Sequence, residues 1–227
     1  MVVEKIRTAI GDYTAWLRRL SEHPRRAWWE TAQRFQAAWD PDASDPEAMF
    51  DACLKNATTR RLWQDEHWQP KRMMLLFWRH DPMTTRMLFA DLFDETRQIE
   101  ARIGRFIFGC DMLLQDYRQA HPLSPDNDHF HGDYRMIVLY LALRYPESYA
   151  PYDFATLRAA LQKLGARDAL DQHDPGRQVK VIRILSQWLD KSPETAEALR
   201  PLLDVKRCYQ GRTVYQAADL CCFLAEQ

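Results

Sequence analysis

The fold class of this chain is decided at residues 99–117, which read IEARIGRFIFGCDMLLQDY. Apolar residues recur there at steps of three and four, at Ile99, Ile103, Phe106, Cys110, Leu113 and Tyr117. At about 3.6 residues per turn, this spacing places them on one stripe of an amphipathic helix of about six turns. The pair His121-Pro122 ends it, because proline cannot continue the hydrogen-bond ladder.

The same period recurs along most of the chain. It predicts about ten helices, near residues 6–20, 28–39, 44–54, 70–79, 83–93, 97–118, 132–145, 154–164, 179–189, 193–203 and 217–225. In the third, Ser44 is the expected N-cap. Only 7 glycines in 227 residues argue against a sheet-rich fold with many turns. We therefore predict an all-α protein, with a minor extended piece considered at residues 212–215.

We expect residues 1–227 to form a single helical domain. The length allows one large core, and no internal repeat or long linker divides the chain. The irregular segment 56–70 is where we would place a weak seam. Because the last apolar run, Ala217–Ala225, has no cap signal after it, we expect the sequence to be a fragment of a longer protein or its last helix to dock onto a partner.

Charge and cysteine content restrict the class of protein. The formal net charge is -1, so the chain has no overall positive charge that would indicate nucleic-acid binding. The number of cysteines is odd, at 5, and none forms a Cys-x-x-Cys pair, which is typical of a reduced, intracellular chain. No apolar run approaches the roughly 20 residues of a membrane span. We expect a cytoplasmic protein with no membrane contact.

Residues 126–135, which read DNDHFHGDYR, concentrate ionisable groups before the most apolar helix. His129 and His131 could bind a metal if Asp133 joined them through a sharp turn at Gly132. Alternatively, Asp133 interacts with the helix N-terminus and the histidines hydrogen-bond to nearby backbone. No second ligand motif favours a metal, and we expect no metal and no cofactor.

No catalytic signature appears elsewhere in the sequence. There is no Gly-x-Ser-x-Gly nucleophile motif and no phosphate-binding Gly-x-x-x-x-Gly-Lys-[Ser/Thr] loop. Carboxylate-rich helix faces such as Asp91, Asp94 and Glu95 are more typical of solvated surface than of acid–base catalysis. We therefore expect that the chain is not an enzyme.

Residues 60–72 interleave cations with tryptophans. Arginine and lysine side chains neutralise phosphates, and flat rings stack on unpaired bases, so this pattern favours a nucleic-acid surface. Its candidate residues are Arg60, Arg61, Trp63, Trp68, Lys71 and Arg72. The ordinary alternative is that both tryptophans anchor a long loop onto the core while the cations remain solvated.

A second group of candidate nucleic-acid contacts lies around the start of the helix at 132–145. It consists of His129, His131, Tyr134 and Arg135. A partly buried arginine needs a carboxylate partner, and Asp133 or Asp128 could pair with Arg135.

Several stretches resemble one family of bacterial proteins. They are FHGDYRMI at 130–137, LYLALRYP at 139–146, FWRHDP at 77–82, LFADLFDE at 88–95 and LGAR at 164–167. Together they resemble the N-terminal, non-ATPase region of McrB-type modification-dependent restriction GTPases, over roughly residues 70–190. The resemblance rests on a helical pattern and carries no catalytic motif.

The resemblance implies a DNA-recognition or adaptor domain of a restriction and defence system. The expected partners are DNA, including methylated DNA, and a ring ATPase module or subunit that would hold any NTPase or nuclease activity. The alternative is a helical scaffold for protein–protein interaction that binds no nucleic acid. Salt-dependent affinity for DNA would separate the two hypotheses.

Overall fold

The computed structural model describes residues 1–168 and 172–227. Over these residues it contains 11 α-helices, one short 3₁₀ turn at Arg200–Leu202 and no β-strand. The helices are α1 Val3–Leu17, α2 Ala27–Ala38, α3 Pro46–Cys53, α4 Pro70–His80, α5 Pro82–Leu92, α6 Ile99–Ala120, α7 Arg135–Arg144, α8 Phe154–Lys163, α9 Pro175–Leu189, α10 Pro193–Leu199 and α11 Tyr215–Glu226. The predicted all-α class with about ten helices is confirmed.

Four helices begin at an aspartate whose carboxylate accepts a backbone N–H three residues later. This bond satisfies one of the N–H groups that a helix leaves free at its start. In three of them proline follows as the first helical residue, where its missing N–H costs nothing. The caps are Asp45, Asp81, Asp153 and Asp174. Asp45, not the predicted Ser44, therefore caps α3.

Helix α7 is the centre of the molecule. Every residue from Met136 to Leu143 is buried, as expected for the most apolar helix of the sequence. The Tyr215 hydroxyl of α11 donates to the Ala142 carbonyl at 2.7 Å. The helix begins at Arg135, later than the predicted residue 132, because Tyr134 adopts a left-handed backbone conformation with φ 64°.

A buried ionic cluster joins the first and last helices. Asp219 of α11 accepts hydrogen bonds from the Tyr13 hydroxyl, from the His23 ring at 3.0 Å and from the Arg25 guanidinium. Burial alone would raise the pKa of Asp219, but the His23 hydrogen bond and the Arg25 charge outweigh it and lower that pKa. The cluster holds the two ends of the chain in one core.

Two irregular segments bear most of the predicted site residues. One runs from 54 to 69 between α3 and α4, and the other from 121 to 134 between α6 and α7. Trp63 and Trp68 of the first segment are buried in the same core as α7. These segments present polar groups on a helical scaffold, the usual arrangement of binding sites.

Residues 212–215 form no strand. The Val214 N–H donates to the Pro146 carbonyl at 2.9 Å, and α11 begins at Tyr215. Among the described residues, no helix has both the length and the low polarity that crossing a bilayer requires.

Candidate nucleic-acid interface

The segment 54–69 has two faces, because its two tryptophans point into the protein. Trp63 is 3% exposed and Trp68 is 7% exposed. The Trp68 indole N–H donates to the Phe130 carbonyl at 3.3 Å, which ties this segment to the one before α7. Neither ring lies on the outer surface of the segment, and the cations beside the two rings line two different depressions.

The first depression is a groove formed by two adjoining cavities of about 530 and 400 Å³, which share Lys55 and Asn56. We call it the basic groove, because cations dominate its lining. They are Arg34, Lys55, Arg60, Lys71, Arg72, Lys206 and Arg207. Against these seven stand two lining carboxylates, Glu30 and Asp51. The groove therefore carries a local positive charge that the whole-chain charge of -1 conceals.

One half of the groove is organised around Asp51. Its carboxylate pairs with Lys71 at 2.8 Å and with Lys55 at 3.0 Å. Burial would raise the pKa of Asp51, but hydrogen bonds from the two lysines outweigh it and lower that pKa. The Lys71 ammonium also lies 5.5 Å from the Trp63 ring centroid, so the tryptophan makes a cation–π contact with this lysine.

The other half is organised around Glu30, a buried residue at 4% exposure. It pairs with Arg207 at 2.9 Å and with Arg26 at 3.0 Å, and it accepts the Thr58 hydroxyl at 2.7 Å. These contacts bring the segment after α10 against the segment after α3. Two parts of the chain that are distant in sequence therefore form one groove.

Three cations of the groove have no ion pair with any carboxylate of the described residues. They are Arg34, Arg60 and Lys206, and all three side chains are exposed. The uncharged amides of Asn56 and Gln64 also line the groove. Exposed cations that lack a carboxylate partner are suited to bind a run of phosphates.

The second depression is a cavity of about 200 Å³ on the other face of the segment, which we call the inner cavity. Trp28, Trp68 and Tyr152 line it, together with Arg61 and Arg135. The Arg135 guanidinium lies over the Trp68 ring and pairs with Asp133 at 2.7 Å, so the predicted Asp133 partner is present.

The inner cavity also contains a buried polar group with an unused acceptor. Gln178 is 2% exposed, and its amide nitrogen donates to the Ala150 and Pro151 carbonyls at 3.0 and 3.2 Å. Its Oε1 has no hydrogen-bond partner in the described part of the protein. An unpaired buried acceptor is costly, which makes this atom a natural contact for a donor on a bound molecule.

The structure thus separates the predicted site residues into three places. Arg60, Trp63, Lys71 and Arg72 lie at the basic groove, and Arg61, Trp68 and Arg135 lie at the inner cavity.

The histidines form the third place, inside the protein. His129 is 5% exposed and His131 is fully buried, so neither reaches the surface. Tyr134 is half-buried and packs edge-on against His173, with ring centroids 5.3 Å apart. Burial lowers the pKa of His131 well below its usual value.

Some site residues carried no signal in the sequence. Arg34 lies alone on α2, Lys206 and Arg207 form an isolated pair after α10, and only folding brings these cations to residues 55–72. Cys110 lies on the apolar stripe of α6. Nothing in its spacing predicts that its sulfur lies within 4.8 Å of ring nitrogens of His129 and His131. No short-range pattern could have located these residues, because their neighbours are set by tertiary packing.

Fold and site together define a class: an all-helical domain with a basic groove next to a small aromatic cavity. Comparisons with protein-family models, with curated proteins and with solved structures found no match.

Proposed function

We propose that this chain binds DNA, with the basic groove holding the phosphate backbone. The single observation that carries the proposal is the excess of cations in the groove, seven against two carboxylates. Exposed Arg34, Arg60 and Lys206, which have no carboxylate partner among the described residues, can exchange counterions for phosphates at little cost. Groups already committed to protein carboxylates would contribute less.

The biological setting of this proposal comes from the sequence resemblance to McrB-type restriction proteins. In that setting the chain is a DNA-recognition or adaptor domain in a bacterial cell. It supplies target choice to a ring ATPase module or subunit and has no catalysis of its own. The basic groove supports the DNA-facing part of this proposal, and the resemblance alone supports the partner.

Recognition of a modified base is the finer part of the proposal, and the inner cavity supports it. A flipped base needs aromatic walls and a few polar groups aimed at its edge. Trp28 and Tyr152 offer walls, and Gln178 offers an unpaired acceptor. Arg61 lines the cavity, whereas its neighbour Arg60 lines the groove, so one bound strand can contact both depressions.

Fluorescence anisotropy with labelled duplexes tests the proposal. Unmodified, cytosine-methylated and adenine-methylated duplexes would each be titrated over a series of salt concentrations. If the groove neutralises about three phosphates, the slope of log affinity against log salt is about -3. The variant Arg34→Gln/Arg60→Gln/Lys206→Gln should abolish most of this slope, because each lost cation removes about one unit.

The matched control is Lys180→Gln/Arg183→Gln, which removes exposed cations of α9 that do not line the groove. It should bind like the parent chain. Equal weakening by both sets would mean that any surface cation serves, and the groove would have no special role. No binding to any duplex at low salt would overturn the proposal.

The protein-interaction scaffold remains a second candidate function, on one specific observation. Large apolar side chains are exposed on the paired helices α5 and α6, namely Met83 at 70%, Met87 at 66% and Phe108 at 66%. Since all eight tryptophans are buried or half-buried, these residues, rather than tryptophans, would form the contact. Exposed methionine and phenylalanine side chains are typical of adaptable protein interfaces.

Sedimentation velocity over a range of protein concentrations distinguishes the scaffold from the DNA-binding domain. A chain that self-associates through this surface shows a concentration-dependent mass that Met87→Lys/Phe108→Lys removes while duplex binding persists. A constant monomer mass together with salt-dependent DNA binding leaves the DNA proposal as the account of this chain.

A further inference from the structure

Three potential metal ligands converge inside the protein, away from both depressions. The Cys110 sulfur, a His129 ring nitrogen and a His131 ring nitrogen all lie within 4.8 Å of one another, and all three residues are buried. The His129 and His131 Nδ1 atoms are 3.2 Å apart. Two nitrogens bound to one tetrahedral zinc ion at ≈ 2.0–2.1 Å are about 3.3 Å apart, so the spacing already fits a shared ion.

We propose that Cys110, His129 and His131 bind one Zn²⁺ ion. The donor set of one thiolate and two imidazoles suits zinc, whereas calcium and magnesium require oxygen ligands. Because the donor atoms are sulfur and nitrogen, this cluster differs from a group of surface carboxylates that attracts cations non-specifically. Three protein ligands leave one position of the tetrahedron for a small exogenous ligand.

The partners of the two imidazoles have the arrangement that zinc-binding histidines show. The His129 Nε2 lies 3.0 Å from Asp111 Oδ1, and the His131 Nε2 lies 3.2 Å from the Tyr140 hydroxyl. A carboxylate or another oxygen on the outer ring nitrogen fixes the tautomer in which the inner nitrogen is free to bind metal. In both rings the nitrogen left for the ion is therefore Nδ1. At His129 the ion would replace a hydrogen bond at 3.2 Å from the His131 backbone N–H to that atom.

The backbone between the histidines is folded to bring them together. Phe130 has φ 63°, in the left-handed region that aromatic residues rarely adopt. An extended His-x-His segment places both rings on one side. The left-handed turn at Phe130 directs both rings toward Cys110, and such strain is often found at functional sites.

The third ligand of this cluster differs from the one considered in the sequence analysis. There the third ligand would have been Asp133, reached through a turn at Gly132. Asp133 instead accepts the Arg135 N–H at 3.0 Å and pairs with the Arg135 side chain. Cys110 of α6 takes the third place, and the turn occurs at Phe130.

Without metal the same atoms can form a hydrogen-bonded chain. The Tyr140 hydroxyl donates to His131 Nε2, the His131 Nδ1–H donates to His129 Nδ1, and the His129 Nε2–H donates to Asp111. Zinc binding requires the His131 proton to move from Nδ1 to Nε2, whose N–H then donates a hydrogen bond to the Tyr140 hydroxyl oxygen. The Cys110 thiol releases its proton to solvent. The balance is one zinc ion gained and one proton released, with both imidazoles neutral.

The test uses the whole chain, purified without chelators and then stripped of metal. Zinc would be added in the presence of a chromogenic chelator, and cobalt would be added separately as a spectroscopic probe. We expect one zinc ion per chain to resist the chelator. Cobalt should produce a thiolate-to-metal charge-transfer band together with the visible bands of tetrahedral coordination.

Variants assign the binding to this cluster. Cys110→Ser and His131→Gln should each lower zinc affinity at least about tenfold, and Cys110→Ser should remove the charge-transfer band. Cys53→Ser is the matched control, because Cys53 is an equally buried thiol of the described core but belongs to no such cluster. It should keep both the stoichiometry and the band.

Three results would overturn the proposal. The first is that the parent chain binds no zinc in competition with the chelator. This result does not depend on whether any variant folds. The second is binding that Cys110→Ser leaves unchanged, since the ion would then lie elsewhere. Binding of copper(I) but not zinc would also overturn it, because the site would then select a softer metal.

Discussion

The guanidinium carbon of Arg135 lies 4.0 Å from the centroid of the Trp68 ring. The first residue of α7 is thereby clamped to the segment that separates the basic groove from the inner cavity. Asp133 holds the same guanidinium from its edge at 2.7 Å. Arg135, predicted as a nucleic-acid contact, is thus already engaged with an aromatic face and a carboxylate of its own chain.

Replacing Arg135 with glutamine should lower the free energy of unfolding by about 0.5–2 kcal/mol, the range for a cation over an aromatic ring. Urea denaturation followed by tryptophan fluorescence measures the change. The control is Arg158→Gln on the exposed side of α8, which should remain within about 0.5 kcal/mol of the parent. Equal effects of the two variants would show that the stacking contributes nothing.

Replacing Asp219 with alanine should destabilise the fold by about 3–5 kcal/mol, because it leaves the buried Tyr13 hydroxyl and His23 without their acceptor and removes the buried partner of Arg25. The matched change is Glu226→Ala, which removes the exposed second partner of Arg25 and should cost less than about 1 kcal/mol. Chemical denaturation of both variants provides the comparison. A cost for Asp219→Ala as small as that for Glu226→Ala would contradict the buried ion-pair account.

The same carboxylate predicts an acid-sensitive component of stability. Because the pKa of Asp219 is lowered in the folded state, the unfolded chain takes up its proton first as the pH falls. The contribution is complete above the unfolded pKa of about 3.9 and declines as the pH drops from there toward the folded pKa. Denaturation at about pH 6 and about pH 3 should show a smaller acid loss for Asp219→Asn than for the parent. Identical losses would mean that other carboxylates govern acid unfolding.

Two glycines of α6 form a matched pair for helix stability. A methyl group at Gly104 would meet no neighbour, whereas one at Gly109 would overlap the Leu88 side chain of α5. Gly104→Ala should therefore raise the free energy of unfolding by about 0.5–1 kcal/mol through helix propensity. Gly109→Ala should gain less or lose stability, since Leu88 must move. Thermal denaturation compares them, and equal gains would show that the α5–α6 contact is loosely packed.

The sequence predicted the positions of the helices because the spacing of apolar residues and the positions of prolines affect the backbone locally. Residues 99–117 predicted α6 nearly to its ends, and Pro70 and Pro193 marked the starts of α4 and α10. The start of α7 was missed by three residues because Tyr134 and Phe130 take left-handed conformations that no local rule assigns to aromatic residues. The surrounding packing imposes them.

The candidate site was less readable, because its parts come from distant segments. Arg60, Lys71 and Arg72 were found from their local clustering, but Arg34 and Lys206 join them only through folding. The sequence also placed Arg60 and Arg61 on one surface, whereas in the structure they line different depressions. Alternating side-chain directions and long-range contacts decide such details.

The basic groove unites residue 34 on α2 with residues 206 and 207 near the other end of the chain. A molecule that contacts both walls can bind only the folded protein, so its binding free energy adds to the folding equilibrium. At a ligand concentration about 100 times Kd, the added stability is roughly 2.7 kcal/mol. A polyanion that binds the groove should therefore raise the melting temperature of the chain. Measuring that temperature with each of a set of polyanions would identify the ones that bind.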